Sequence, residues 1–181
     1  MKKLLIILFC TIVMAAAQQS AATTPLQKGL GLFNEGKYHD ARKILEKIYN
    51  DGNDNPELLK AMYYIFFVSE EYEKAKEAIE KEERTLLQSE KILFDYALIH
   101  MELKDYAQTL DILEDAPQGK RYFSIILETY LRSENWNDLR EQLLDNKNKI
   151  PQEKYRHYYN KLLNYYSDMF SRAMQNKKIS S

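Results

Sequence analysis

The six residues GKYHDA at 36–41 decide the fold of this 181-residue chain, because their pattern returns at a regular interval. Each copy places an aromatic residue third and a small or apolar residue last. The aromatic residues are Tyr38, Tyr72, Tyr106 and Trp136, which lie 34, 34 and 30 residues apart. Self-similarity at such a period is typical of a repeat architecture. The later copies read EEYEKA at 70–75, KDYAQT at 104–109 and ENWNDL at 134–139.

Each copy is predicted to be a turn between two helices, because apolar residues recur at helical spacing on both sides of it. Before three of the turns they follow the spacing i, i+3, i+4, i+7. A helix pair cannot bury two such stripes alone, so neighbouring pairs are expected to stack. The stripes before the turns are Leu59, Met62, Tyr63 and Phe66, then Leu93, Tyr96, Ala97 and His100, then Phe123, Ile126, Leu127 and Tyr130.

A 34-residue helix-turn-helix with this order of small and aromatic positions resembles the tetratricopeptide repeat (TPR). The resemblance covers roughly residues 25–148. Gly29, Gly36, Tyr38 and Ala41 match in the first copy, whereas Thr109 and Leu139 replace the alanine between the helices in the third and fourth. It implies an all-α fold, a right-handed α-α superhelix. About four TPR-like repeats are expected at 25–150.

A long amphipathic helix is predicted after Pro151, at 151–176, followed by a tail at 177–181. A solenoid needs a cover over its last apolar surface, so a capping role is favoured. A partner-binding or membrane-surface helix stays open as the alternative. The apolar face consists of Tyr155, Tyr158, Tyr159, Leu162, Leu163, Tyr166, Met169, Phe170 and Ala173.

The first 17 residues have the three parts of a secretory signal peptide: Lys2 and Lys3, an uncharged run at 4–14, and alanines at 15–17. Cleavage after Ala17 would leave a flexible lead-in at 18–24 and no cysteine. We therefore expect a periplasmic or secreted bacterial protein. The alternative is a retained membrane anchor, although the apolar run is shorter than the roughly 20 residues that span a bilayer.

Composition and motifs argue against an enzyme, a metal site or a cofactor. Basic and acidic residues balance at 26 and 27, so no basic face indicates nucleic acid. The loop at 51–56 begins like a calcium loop, but Pro56 stands where that loop requires glycine. His39, His100 and His157 lie far apart, and His100 occupies an apolar position, so we interpret it as a packing residue.

The TPR resemblance implies that the first helix of each pair lines a concave groove. That wall would be apolar, and Leu26 and Leu30 occupy the positions where chaperone-binding members hold a peptide carboxylate. We expect an exported adaptor that binds a peptide segment or helix of another protein; the alternative is a membrane-anchored structural subunit of an envelope complex. The apolar residues of the predicted groove wall could instead belong to the core. The candidate groove residues are Leu30, Phe33, Tyr64, Phe67, Phe94, Leu98, Met101 and Leu131.

Overall fold

The computed structural model describes residues 23–114 and 116–179, with side chains to residue 175. The predicted signal peptide at 1–17, residues 18–22 of the lead-in and residues 180–181 lie outside the described residues. The described residues form ten helices and no strand, which confirms the all-α class. The helices are α1 (Pro25–Asn34), α2 (Tyr38–Asn50), α3 (Pro56–Val68), α4 (Tyr72–Glu80), α5 (Glu83–Leu86), α6 (Glu90–Glu102), α7 (Tyr106–Glu114), α8 (Lys120–Arg132), α9 (Trp136–Asp145) and α10 (Gln152–Ile179).

The predicted turns have the same backbone conformation in all four copies. One residue of each turn adopts positive φ, between 57° and 76°, and the second helix begins two residues later. The intervening residue donates its N–H to the carbonyl five positions back, at 2.9 Å each time, which is the Schellman arrangement. The positive-φ residues are Gly36, Glu70, Lys104 and Glu134.

The fourth residue of each second helix is fully buried although its identity varies. Ala41, Ala75, Thr109 and Leu139 all have 0% exposure. The Thr109 hydroxyl donates a hydrogen bond to the Asp105 carbonyl at 2.9 Å, so this polar substitute leaves no unsatisfied group in the core. Thr109 and Leu139 therefore replace alanine at this position, and both helix pairs still form.

The chain divides into two compact units, Met1–Ala61 and Met62–Ser181. In the described part of the first unit, α1 packs on α2. Gly29 is the buried residue of α1, and a Cβ at this position would lie 2.7 Å from Cγ of Leu45. Because Leu45 is itself completely buried, only glycine permits this close approach of the two helices.

The second unit has a core to which α6, α8, α9 and α10 contribute. Phe94, Phe123, Leu127 and Leu139 are at most 1% exposed there. Helix α10 adds Tyr158 and Leu162, both 4% exposed, to this cluster.

Helix α10 covers the last repeat with only part of its length. Tyr155 and Tyr166 pack against the core cluster, and the Tyr165 ring stacks on Trp136 at 4.3 Å between centroids. All described side chains from residue 167 to residue 175 are exposed. The cap is therefore the first half of α10.

We expect deletion of residues 151–181 to lower the melting temperature strongly, because it uncovers the surface under Tyr158 and Leu162, and each buried large side chain contributes about 1.5–3 kcal/mol. Deletion of residues 168–181 alone should leave the melting temperature nearly unchanged. Circular dichroism melts of the two truncations and the full chain make the comparison. Equal melting of the long truncation and the full chain would contradict the capping role.

Candidate functional site

The eight predicted groove residues fall in both compact units. Leu30 and Phe33 lie on α1 in the first unit and are partly buried. In the second unit, Tyr64 and Phe67 of α3, Leu98 of α6 and Leu131 of α8 are also partly buried. Partial burial leaves these side chains accessible to a ligand, and binding at them stays a prediction.

Phe94 and Met101 lie in the core rather than on an exposed wall, which corrects their assignment as groove-lining residues. They are 1% and 3% exposed and belong to the core cluster of the second unit. The reason is the position of α6, which packs against α4, α7 and α8. A helix enclosed by three neighbours buries several faces, whereas the sequence interpretation assigned it one packing face.

A buried carboxylate on α6 joins two first helices, and sequence reasoning did not identify it. Asp95 is 2% exposed, and its carboxylate accepts a hydrogen bond from Lys91 at 2.8 Å and another from Arg121 of α8. The cation of Lys91 also lies 4.7 Å from the centroid of the Tyr64 ring. The available sequence signal was a single acidic residue between Ile92 and Met101, with a lysine four residues before it.

A second charged network connects the other ends of the same helices. Arg132 of α8 pairs with Glu102 of α6 and with Glu128, at 2.9 Å in both cases. The Tyr158 hydroxyl of α10 donates to Glu128 at 3.0 Å, and burial of that hydroxyl raises the pKa of Tyr158. The hydrogen bonds that Arg132 donates to Glu102 and Glu128 raise the pKa of Arg132, which therefore stays charged.

These side chains define one surface of the second unit, which we call the first-helix face. Lys91, Asp95, Leu98 and Glu102 follow a single stripe of α6 at spacings of four, three and four residues. Ion pairs connect that stripe to α8, and the Lys91 contact connects it to α3. The face consists of Tyr64, Phe67, Lys91, Asp95, Leu98, Glu102, Arg121, Glu128, Leu131 and Arg132.

His100 is buried on the opposite side of α6 from this face, at the position expected for a packing residue. Its Nδ1 lies 3.3 Å from an Asp105 carboxylate oxygen, and its ring meets Tyr96 edge-on at 4.7 Å. Nε2 has no hydrogen-bond partner among the described residues. Burial lowers the pKa of His100, against the opposing effect of Asp105, so the neutral imidazole is favoured.

The described residues offer no cluster of metal ligands. No group of three or more His, Cys, Asp or Glu side chains in residues 23–114 and 116–175 is placed to hold an ion. The asparagines of the loop at 51–56 have a structural use, since the Asn55 carboxamide oxygen accepts hydrogen bonds from the N–H groups of Glu57 and Leu58 at the start of α3. No helix in the described part of the chain is long and apolar enough to span a bilayer.

We expect Asp95→Asn to lower the free energy of unfolding by about 2 kcal/mol, because a buried carboxylate that binds two cations is lost. The matched control is Glu102→Gln, which weakens a half-exposed ion pair between the same two helices and should cost less than about 1 kcal/mol. Urea denaturation followed by circular dichroism gives both values. Equal costs would contradict the larger role assigned to the buried carboxylate.

The lowered pKa of His100 predicts a loss of stability in mild acid. Between the ordinary histidine pKa, near 6.5, and the lower pKa of the folded state, the unfolded chain binds the extra proton, so the free energy of unfolding falls as pH falls from about 7. We expect His100→Phe to remove most of this dependence, since Phe66 occupies the equivalent position one repeat earlier. Urea titrations at pH 7.5, 6.5 and 5.5 test it. Parallel pH profiles of the two proteins would contradict the assignment to His100, because His39 and His157 are exposed in both.

Comparisons with known proteins agree with this fold. No family model matches the chain, and no curated protein matches it. The chain is similar to the solved structure described as "MamA MSR-1 C2", with a TM-score of 0.55 and 16% sequence identity over 85% of this chain and 86% of that one. MamA contains tetratricopeptide repeats. At this identity the likeness concerns the fold, and the chain has an all-helical, TPR-like fold.

Proposed function

We propose that this chain is a non-enzymatic scaffold that binds a segment of a partner protein on its first-helix face. The main support is a face with four partly exposed apolar side chains, on which ion pairs connect α6 to α8. The four are Tyr64, Phe67, Leu98 and Leu131. Apolar side chains bordered by charges are typical of peptide-binding surfaces. The likeness to a TPR-containing protein supports the proposal, because this fold commonly serves protein interaction.

The charges of the face suggest how a bound segment would be oriented. Lys91 and Arg121 share the single carboxylate of Asp95, which leaves an excess positive charge at one end. At the other end, Glu102 and Glu128 share Arg132, which leaves an excess negative charge. A segment with apolar side chains, an acidic residue at its first end and a basic residue at its second end complements this arrangement.

The partner is identified by photo-crosslinking from the face itself. A benzophenone amino acid replaces Phe67 in one variant and Leu144 in a control. Leu144 lies on α9, is 58% exposed and does not belong to the first-helix face. The protein that crosslinks only from position 67 is then purified for binding measurements.

We expect the double substitution Phe67→Ala and Leu98→Ala to weaken binding of that partner at least 30-fold, which corresponds to about 2 kcal/mol and is typical of interface hot spots. Leu98 also packs against the core cluster, so each variant is melted first, and binding is measured at a temperature at which it is folded. The control Leu144→Ala should bind like the parent chain. Isothermal titration calorimetry measures the affinities, and unchanged affinity of the double variant would overturn the proposal.

We also propose that the scaffold is exported, on the basis of the signal-like residues 1–17. Cleavage between Ala17 and Gln18 is the expected outcome. Intact mass spectrometry of the protein from the cell-envelope and secreted fractions tests it. A mass that retains residues 1–17 in a membrane fraction would instead support the membrane-anchored subunit.

A further inference from the structure

The net charge of the chain, −1, is the sum of an acidic and a basic part of the sequence. Residues 147–181 contain eight basic and two acidic residues, a net charge of +6. Residues 1–146 contain 18 basic and 25 acidic residues, a net charge of −7. Helix α10 and the residues just before it are therefore basic. Such asymmetry indicates an anionic partner for this end of the chain.

The same basic segment has most of the exposed apolar side chains. Of the seven large hydrophobic side chains exposed among the described residues, five belong to α10. Their exposures run from 38% for Tyr159 to 66% for Phe170. Single exposed apolar residues are ordinary, but a group of this size marks an interaction surface. The five are Tyr159, Leu163, Met169, Phe170 and Met174.

Four of these side chains belong to a stripe along α10 that begins and ends with a basic residue. On an ideal helix its six positions fall within an arc of about 60° and extend over about 30 Å. Tyr158 and Leu162, which are buried in the core cluster, lie outside this arc. The side chains of the stripe as far as residue 174 are all exposed. This α10 stripe consists of Arg156, Tyr159, Leu163, Phe170, Met174 and Lys177.

A cavity of about 270 Å³ opens at the Arg156 end of the α10 stripe. The rings of Tyr155 and Tyr159 stack there at 5.7 Å between centroids, and the Lys147 cation lies 5.8 Å from the Tyr155 ring. None of the lining residues is acidic, and neither Lys147 nor Arg156 forms an ion pair within the described part of the chain. Two cations without a carboxylate favour an anionic ligand. The lining residues are Lys147, Ile150, Gln152, Tyr155, Arg156 and Tyr159.

An anionic phospholipid membrane is the partner that uses both the cations and the apolar side chains. Its phosphates attract the basic residues, and its acyl region accepts apolar side chains to a depth of about 5–10 Å. Tyrosine is favoured at the boundary between the two regions, because its ring is apolar and its hydroxyl is polar. Four to eight basic residues on an amphipathic helix are typical of binding to anionic lipids, and α10 has six. Duplex nucleic acid also binds basic surfaces, but its more polar interfaces offer less to Leu163 and Met174.

We propose that α10 binds an anionic phospholipid surface through the α10 stripe. Lys147 and Arg156 contact headgroup phosphates at the cavity. Leu163, Phe170 and Met174 enter the acyl region. The helix lies parallel to the membrane surface, because the stripe runs along its length. The first-helix face is formed by α3, α6 and α8, so lipid binding uses none of its residues.

An environment-sensitive fluorophore on α10 tests the proposal. Met174→Cys and the neighbouring Gln175→Cys are each labelled with NBD in a Cys10→Ser background of the full chain. Vesicles of equal parts phosphatidylglycerol and phosphatidylcholine should shift the emission from position 174 to shorter wavelength. Position 175 points away from the stripe and should change little, and pure phosphatidylcholine should change neither. The readout is local to α10, so it does not depend on whether residues 1–17 are cleaved.

Three outcomes of the fluorescence experiment would overturn the proposal. The first is no change at position 174, and the second is an equal change at positions 174 and 175. The third is an equal response to pure phosphatidylcholine, since the cations would then have no part in binding.

Lipid titrations followed from position 174 test the two cations of the cavity. We expect Lys147→Gln with Arg156→Gln to raise the lipid concentration at half-maximal response about 25-fold, because each basic residue near an anionic surface contributes about fivefold to binding. The matched control, Lys154→Gln with Lys161→Gln, removes the same charge from the opposite side of α10. It should raise that concentration less than about threefold, because its charges lie about one screening length from the membrane. All four side chains are exposed, so both variants should melt like the parent chain.

Equal effects of the two pairs of substitutions would show that the cavity is not the headgroup site. A duplex DNA oligonucleotide is titrated against the same variants by fluorescence anisotropy. Binding of DNA that is lost in the Lys147 and Arg156 variant, without any response to lipid, would replace the membrane by nucleic acid.

Discussion

The reversal of the chain at one left-handed residue is the constraint on which each helix pair depends. One residue with positive φ follows each first helix and reverses the direction of the chain. These residues are Gly36, Glu70, Lys104 and Glu134. At three of these positions the residue is not glycine, and the left-handed conformation costs about 1–2 kcal/mol of folding free energy. The hydrogen bond to the carbonyl five residues back offsets part of that cost, and the second helix then packs through a buried residue at its fourth position.

The packing of α6 determines which side chains of the second unit are available for binding. Three neighbouring helices cover α6, so most of its large apolar side chains are buried in the core. The accessible side chains that remain on α6 include Lys91, Leu98 and Glu102. Its charges are paired with α8, and these pairs connect two consecutive first helices. The surface that can meet a partner is therefore smaller and more polar than a wholly apolar groove.

Helix α10 covers the last repeat with only part of its apolar surface. Tyr158 and Leu162 complete the core, and the Trp136–Tyr165 stack holds the helix against the last repeat. Tyr155 and Tyr166 also pack against that core, whereas the described side chains beyond Tyr166 are exposed.

The sequence by itself determined the helix pairs. The position of each turn and the first residue of each second helix follow from the aromatic residues at 38, 72, 106 and 136, because turn and helix geometry depend on a few neighbouring residues. Only the tertiary structure decided that Phe94 and Met101 are core while Leu98 stays accessible, and that Asp95 is a buried anchor for Arg121. Burial depends on how many helices surround a side chain, and helices far apart in the chain set that number. A periodic pattern identifies an apolar face, but it does not say how many neighbours will cover it.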